Sequence, residues 1–117
     1  MPTAQFDTAD HRASVVSVAG DIDYSNSGEL HEAINHALTE AHLARLVVDL
    51  GGVARIDSSG LGMLLDGLRE AQHKNVRFVL CGLGNSLRRV LERTRLSTLF
   101  DIRPTRQEAL GHFATSG

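Results

Sequence analysis

Apolar residues recur along the chain in two alternating patterns, short β-branched runs and longer stretches with helical spacing. The runs at residues 15–18, 46–50 and 76–80 predict three strands, and the two later runs have the continuous apolar character of strands buried on both faces. Between the runs, apolar residues repeat every three or four positions, which is the period of one helix face. These helical positions are Leu30, Ala33, Ile34, Ala37, Leu38 and Ala41, then Leu61, Leu64, Leu65, Leu68 and Ala71.

Smaller elements are predicted at both ends. Residues 5–6 indicate a short strand that forms a hairpin with the strand that follows it. Asn85 is expected to cap a third helix, and residues 99–102 predict a last strand. Thr105 and Glu108 have the spacing of a capping box at the start of a fourth helix, which would include Phe113 on its apolar face.

The alternation of strands and helices predicts the fold class. Asn26 and Glu29 also have the spacing of a capping box, which strengthens the prediction of the first helix. Strands that alternate with helices pair in parallel through right-handed crossovers, whereas a hairpin adds an antiparallel pair. We therefore expect a single α/β domain over residues 1–117, with its core at about 13–113. Its central mixed β-sheet would be flanked by about four α-helices.

Composition limits the classes of partner. The chain has 117 residues, a net charge of −2 and a pI of about 6.3, whereas nucleic-acid-binding domains are basic. Its single cysteine, Cys81, cannot form an internal disulfide, and no apolar run reaches the roughly 20 residues that span a bilayer. The N-terminal residues lack the pattern of a signal peptide. We expect a cytoplasmic protein that binds neither nucleic acid nor membrane.

The segment at residues 55–63 has the clearest chemical character. Asp57, Ser58 and Ser59 bring a carboxylate and two hydroxyls to the predicted start of the second helix, followed by Gly60. Unpaired N–H groups at a helix start favour negative charge, so a phosphoserine would be tolerated there. The same residues also form a good N-cap with no further role. Composition and spacing alone favour the plain cap, because such caps are common, and they do not decide between the two serines.

The same segment resembles a known family. Asp57-Ser58-Ser59-Gly60-Leu61-Gly62 is similar to the signature of anti-sigma factor antagonists, whose fold is the STAS domain. The segments at 20–23, 46–50 and 79–82 resemble other parts of that family, so the likeness extends over roughly residues 15–110. One departure is Asn26, where the family often has Thr.

The resemblance implies a mechanism of partner switching. In that family an anti-sigma factor with serine-kinase activity phosphorylates the position of Ser58. The unphosphorylated form binds the anti-sigma factor and releases the sigma factor, and a PP2C-type phosphatase restores the binding form. The residues implied in partner contact are Asp23, Asp57, Ser58, Ser59, Gly60 and Leu61.

Other functions stay open at this stage. A related partner-switching protein would control a target outside transcription, and a soluble STAS subunit would belong to a lipid or anion transport complex. A hydrolase with Ser58 as nucleophile is disfavoured, because no His or Lys lies near it in sequence to act as base. The six histidines form no tight cluster with Cys81. We therefore expect a binding protein with no catalytic residues, metal site or cofactor.

Overall fold

The computed structural model of the protein describes residues 3–7 and 12–111, which form a five-stranded sheet. The strands are β1 (Thr3–Asp7), β2 (Ala13–Ala19), β3 (Arg45–Gly52), β4 (Arg77–Cys81) and β5 (Asp101–Arg103). Strand order along the sheet follows the chain, and β1 pairs with β2 antiparallel. The pairs β2–β3, β3–β4 and β4–β5 are all parallel, so the predicted mixed sheet and hairpin are confirmed.

Four α-helices connect or follow the strands within the described residues, as predicted. They are α1 (Ser27–Ala37), α2 (Ser58–His73), α3 (Asn85–Arg93) and α4 (Arg106–Ala109), and a 3-10 turn (Leu96–Thr98) precedes β5. Among these helices, none is both long enough and apolar enough to cross a membrane. The connections from β2 to α1 and from β3 to α2 leave the sheet at the same edge, where parallel strands end.

Side chains alternate between the two faces of the sheet and form two separate apolar clusters. Residues of α1, α2 and α3 pack in the larger cluster, together with strand residues such as Val16, Val48 and Leu80. The opposite face carries a smaller cluster in which Val47 lies with Ala109 of α4. Strands β3 and β4 are thus covered on both faces, as their continuous apolar runs predict.

Cys81 is the last residue of β4, lies in the smaller cluster and is fully buried. Burial raises the pKa of its thiol to about 12, and the nearby carboxylate of Asp49 acts in the same direction. The thiol is therefore protonated at neutral pH, which makes it a poor nucleophile.

The first helix is shorter than its apolar pattern predicts. It ends at Ala37, although Leu38 is still buried, and Ala41 is exposed in the turn that follows. The hydroxyl of Thr39 donates a 2.6 Å hydrogen bond to the carbonyl of His36. Hydroxyl side chains that bond to nearby carbonyls compete with the helix, so the prediction of helix through Ala41 is wrong.

Three further boundaries are also corrected or remain open. The N-cap of α3 is Gly84, which has no side chain to cap the helix, and Asn85 is already the first helical residue. The prediction that Asn85 caps this helix is therefore wrong. Leu99 is 56% exposed and precedes β5, which begins at Asp101. The prediction for Phe113 lies outside the described residues.

Candidate functional site

The loops that follow β2 and β3 are joined to each other at the edge of the sheet. Ile22 and Ile56 form an isolated parallel bridge beyond the ends of the two strands. The backbone N–H of Ile22 donates to the carbonyl of Arg55 at 3.0 Å, and the N–H of Asp57 donates to the carbonyl of Ile22 at 3.0 Å. Residues far apart in sequence therefore form one continuous surface before α2 begins.

Asp57 is the residue that fixes this surface to the helix. It is the N-cap of α2, and its Oδ1 accepts a 3.1 Å hydrogen bond from the backbone N–H of Gly60. Its Oδ2 accepts a second hydrogen bond, also 3.1 Å, from the backbone N–H of Tyr24. The predicted capping role is confirmed, and the same carboxylate also holds the loop after β2.

Two further side chains stabilise the loop after β2. The Oδ1 of Asp21 accepts a 3.1 Å hydrogen bond from the backbone N–H of Arg55. The amide of Asn26 donates to the carbonyl of Asp21 at 2.8 Å, and its Oδ1 accepts from the N–H of Asp23 at 2.9 Å. Asn26 occupies the N-cap position of α1 but makes no capping hydrogen bond, so the capping box predicted for Asn26 is wrong.

Asp23 is exposed and bonded within its own loop. Its Oδ1 accepts hydrogen bonds from the hydroxyl of Ser25 and from the Ser25 backbone N–H at 2.9 Å. These bonds, the hydroxyl first, hold the pKa of the Asp23 carboxyl below its ordinary value. Asp23 is therefore a carboxylate at neutral pH.

The residues at the start of α2 differ in exposure. Ser58 is the first helical residue and is exposed, whereas Ser59 is half-buried. Leu61 is half-buried and packs against the larger apolar cluster. Ser58 thus lies beside N–H groups that begin the helix, and its side chain faces solvent.

The two glycines of this segment have different environments. Gly60 is buried, and a Cβ at this position would lie 2.5 Å from Cγ1 of Ile56 and 2.6 Å from Cγ2 of Ile22. Gly60 therefore allows α2 to pack on the bridge between the loops. A Cβ at Gly62 would meet no atom within 4 Å, so only Gly62 leaves room for another molecule.

The structure brings together the predicted residues Asp23, Asp57, Ser58, Ser59, Gly60 and Leu61 at one edge of the sheet. Sequence patterns did not identify Tyr24, because its link to Asp57 joins positions 33 residues apart. The exposed helix start can hold an anion. Within residues 12–111, no group of three or more His, Cys, Asp or Glu side chains is arranged to hold a metal ion.

Known proteins share this fold. The STAS domain model matches residues 6–109 of the chain. An anti-sigma-B factor antagonist of Listeria monocytogenes serovar 1/2a is 31% identical over 100 residues, which is 85% of this chain and 86% of the relative. Such a match over most of both chains indicates common descent.

Solved structures agree with the sequence matches. The crystal structure of an anti-sigma factor antagonist from Mycobacterium paratuberculosis is 28% identical with a TM-score of 0.82, covering 95% of this chain and 91% of that one. SpoIIAA, an anti-sigma factor antagonist, has been solved in unphosphorylated and phosphorylated forms. These have TM-scores of 0.71 and 0.67, identities of 19% and 20%, and cover 95% and 93% of this chain and 96% and 97% of their own. The chain therefore belongs to the STAS domain family.

Proposed function

We propose that the protein is an anti-sigma factor antagonist that works by partner switching in the cytoplasm. Its unphosphorylated form binds an anti-sigma factor with serine-kinase activity and thereby releases a sigma factor. Phosphorylation of Ser58 blocks this binding, and a PP2C-type phosphatase restores it. The names of the Listeria and Mycobacterium proteins support the general role.

The observation that carries the proposal is the exposed hydroxyl of Ser58 beside the capping carboxylate of Asp57. Because Asp57 already satisfies the N–H of Gly60, the cap does not depend on Ser58. A kinase can reach an exposed hydroxyl more readily than a half-buried one, which favours Ser58 over Ser59 as the acceptor. The partner surface would include Asp23 and Leu61 beside them.

Charge explains how phosphate acts as the switch. A phosphoserine carries about −1.5 to −2 charge at neutral pH. The start of α2 stabilises this charge in the free protein, because its N–H groups point toward the anion. A partner that packs against a neutral hydroxyl must instead pair or desolvate a dianion near Asp57, which weakens the complex. Binding is lost while the fold is kept.

The surroundings of the Ser58 hydroxyl favour a binding role over catalysis. Across residues 12–111, no hydrogen bond joins the hydroxyl of Ser58 to a histidine or an amine that would activate it as a nucleophile. The enzyme that modifies Ser58 would be a separate protein.

Two experiments, one after the other, test the proposal. A pull-down with Ser58→Ala, followed by mass spectrometry, identifies the bound partner, because this variant cannot be switched off. The purified partner and ATP should then add one phosphate to the wild-type protein, and phosphopeptide mapping should assign it to Ser58. Ser59→Ala is the matched control and should still be phosphorylated. Phosphate on Ser59, or none, contradicts the assignment.

The identity of the partner decides between related functions. A sigma-binding kinase supports the proposal, whereas a kinase that controls a target outside transcription supports a different partner-switching role. Co-purification with the membrane subunits of a lipid or anion transporter, without dependence on Ser58, would place the protein in a transport complex instead.

A further inference from the structure

Tyr24 presents an almost fully solvated ring beside the candidate site. Tyr24 is 84% exposed, and within residues 12–111 Leu99 is the other large hydrophobic residue that is largely exposed. The two differ in position, because Leu99 precedes β5 at the edge where parallel strands begin, whereas Tyr24 lies where β2 and β3 end. Only Tyr24 belongs to the surface that contains Ser58.

Hydrogen bonds hold the backbone of Tyr24 at both its N–H and its carbonyl. Its N–H donates to Oδ2 of Asp57 at 3.1 Å, and its carbonyl accepts a 3.4 Å hydrogen bond from the hydroxyl of Ser27. The preceding N–H, that of Asp23, is bonded to Asn26. Because this loop is already fixed, little backbone freedom is lost when a partner binds the ring, which increases the contribution of Tyr24 to affinity.

We propose that Tyr24 is the aromatic anchor of the interface with the anti-sigma factor, an inference that rests on the proposed function. Its ring enters an apolar recess of that partner, and the partner surface then extends over Ser58. Two properties support this role: tyrosine is enriched among residues that dominate binding energy, and it combines an apolar ring with a polar hydroxyl. The hydrogen bond from the backbone N–H of Tyr24 to Asp57 also holds Tyr24 next to the residue that precedes the proposed phosphate acceptor.

Affinity measurements with matched variants test this role. Titration calorimetry against the purified anti-sigma factor should show at least thirtyfold weaker binding for Tyr24→Ala, which corresponds to about 2 kcal/mol. Tyr24→Phe keeps the ring and should bind within threefold of wild type. Leu99→Ala removes the other exposed large hydrophobic side chain of residues 12–111 and should leave the affinity unchanged. Wild-type affinity for Tyr24→Ala would overturn the inference.

A second measurement observes the ring directly. The chain has one tyrosine and no tryptophan, so 3-fluorotyrosine labels Tyr24 alone. The single ¹⁹F resonance should shift or broaden when the unlabelled partner is added. Addition of the partner to the phosphorylated protein should leave the resonance unchanged. A resonance that does not change when the partner binds would show that Tyr24 lies outside the interface.

The outcomes separate this inference from the proposed function. If no anti-sigma factor binds the wild-type protein, the proposed function fails. If the partner binds but Tyr24→Ala binds equally well, only the anchor fails. Sedimentation of the free protein tests whether Tyr24 instead contacts a second copy of the chain. A dimer that Tyr24→Ala disrupts, with unchanged affinity for the anti-sigma factor, would also overturn the inference.

Discussion

Asp57 and Tyr24 are 33 positions apart, and Oδ2 of Asp57 lies 3.1 Å from the backbone nitrogen of Tyr24. The other carboxylate oxygen caps α2 at Gly60. One side chain therefore sets both the start of the helix and the position of the loop after β2. This double role can be separated experimentally, because each oxygen has its own donor.

Substitution of Asp57 should separate capping from loop attachment. Asp57→Ala removes both bonds and should lower the free energy of unfolding by about 0.5–2 kcal/mol, the usual effect of losing an N-cap. Asp57→Asn keeps a capping oxygen but cannot accept from the N–H of Tyr24 with its amide nitrogen. It should unfold at nearly the wild-type urea concentration while amide exchange at Tyr24 becomes faster.

A control for these variants lies in the same helix. Asp66 forms an exposed ion pair with Arg69 at 3.4 Å, and such pairs contribute little to stability. Asp66→Ala should change the free energy of unfolding by less than about 0.5 kcal/mol. An effect of Asp57→Ala no larger than that of Asp66→Ala would contradict the capping role.

Alanine at the two glycines of the segment should have opposite effects on stability. Gly60→Ala inserts a methyl group between Ile22 and Ile56 and should destabilise the fold by about 1–3 kcal/mol. Gly62→Ala meets open space and should stabilise the helix by about 0.5–1 kcal/mol, because alanine is the better helix former. Urea unfolding of both variants gives the test. Equal stability of the two variants would show that α2 is not packed tightly on the bridge.

Acidic residues at Ser58 should weaken binding without unfolding the protein. Ser58→Asp and Ser58→Glu place a carboxylate where a neutral hydroxyl is proposed to contact the partner. Desolvation of this charge should reduce affinity at least tenfold, which corresponds to about 1.4 kcal/mol. Calorimetry against the purified partner measures the loss, and circular dichroism should show an unchanged fold. Wild-type affinity in both variants would exclude charge at Ser58 as the switch.

The buried thiol of Cys81 should make stability depend on alkaline pH. Burial and the carboxylate of Asp49 raise its pKa from 9.0 to about 12, so the unfolded thiol ionises first. The free energy of unfolding should then fall as pH rises from 9.0 to about 12. At lower pH the thiol is protonated in both the folded and the unfolded state, so it causes no change of stability with pH. Comparison with Cys81→Ala isolates the thiol from other groups that titrate there. Identical pH profiles would contradict the shift.

Local patterns predicted those features that depend on neighbours in sequence. The cap by Asp57 was predictable because its acceptor oxygen and the N–H of Gly60 are three residues apart. Strands β3 and β4 were predictable because both of their faces are covered, which requires continuous apolar runs.

The errors arise where a distant or competing partner decides the structure. Asn26 has the sequence of a cap, but its side chain bonds to Asp21 and Asp23 instead of the helix start. Ala41 keeps the helical period of α1, but the chain turns after Ala37. The contact between Asp57 and Tyr24 has no local signal, because it depends on the parallel pairing of two strands.

Asp57 and Ser58 are adjacent, yet the cap of the helix and the proposed site of phosphorylation lie on different side chains. Because the carboxylate of Asp57 caps the helix, replacement of Ser58 leaves the cap in place. If Ser58 is the phosphorylated residue, as proposed, a descendant of this protein would lose that control through one substitution at position 58, with no compensating change in the core. One substitution would also restore it. The mutational path between a switchable protein and a permanently active one would therefore be a single step in either direction.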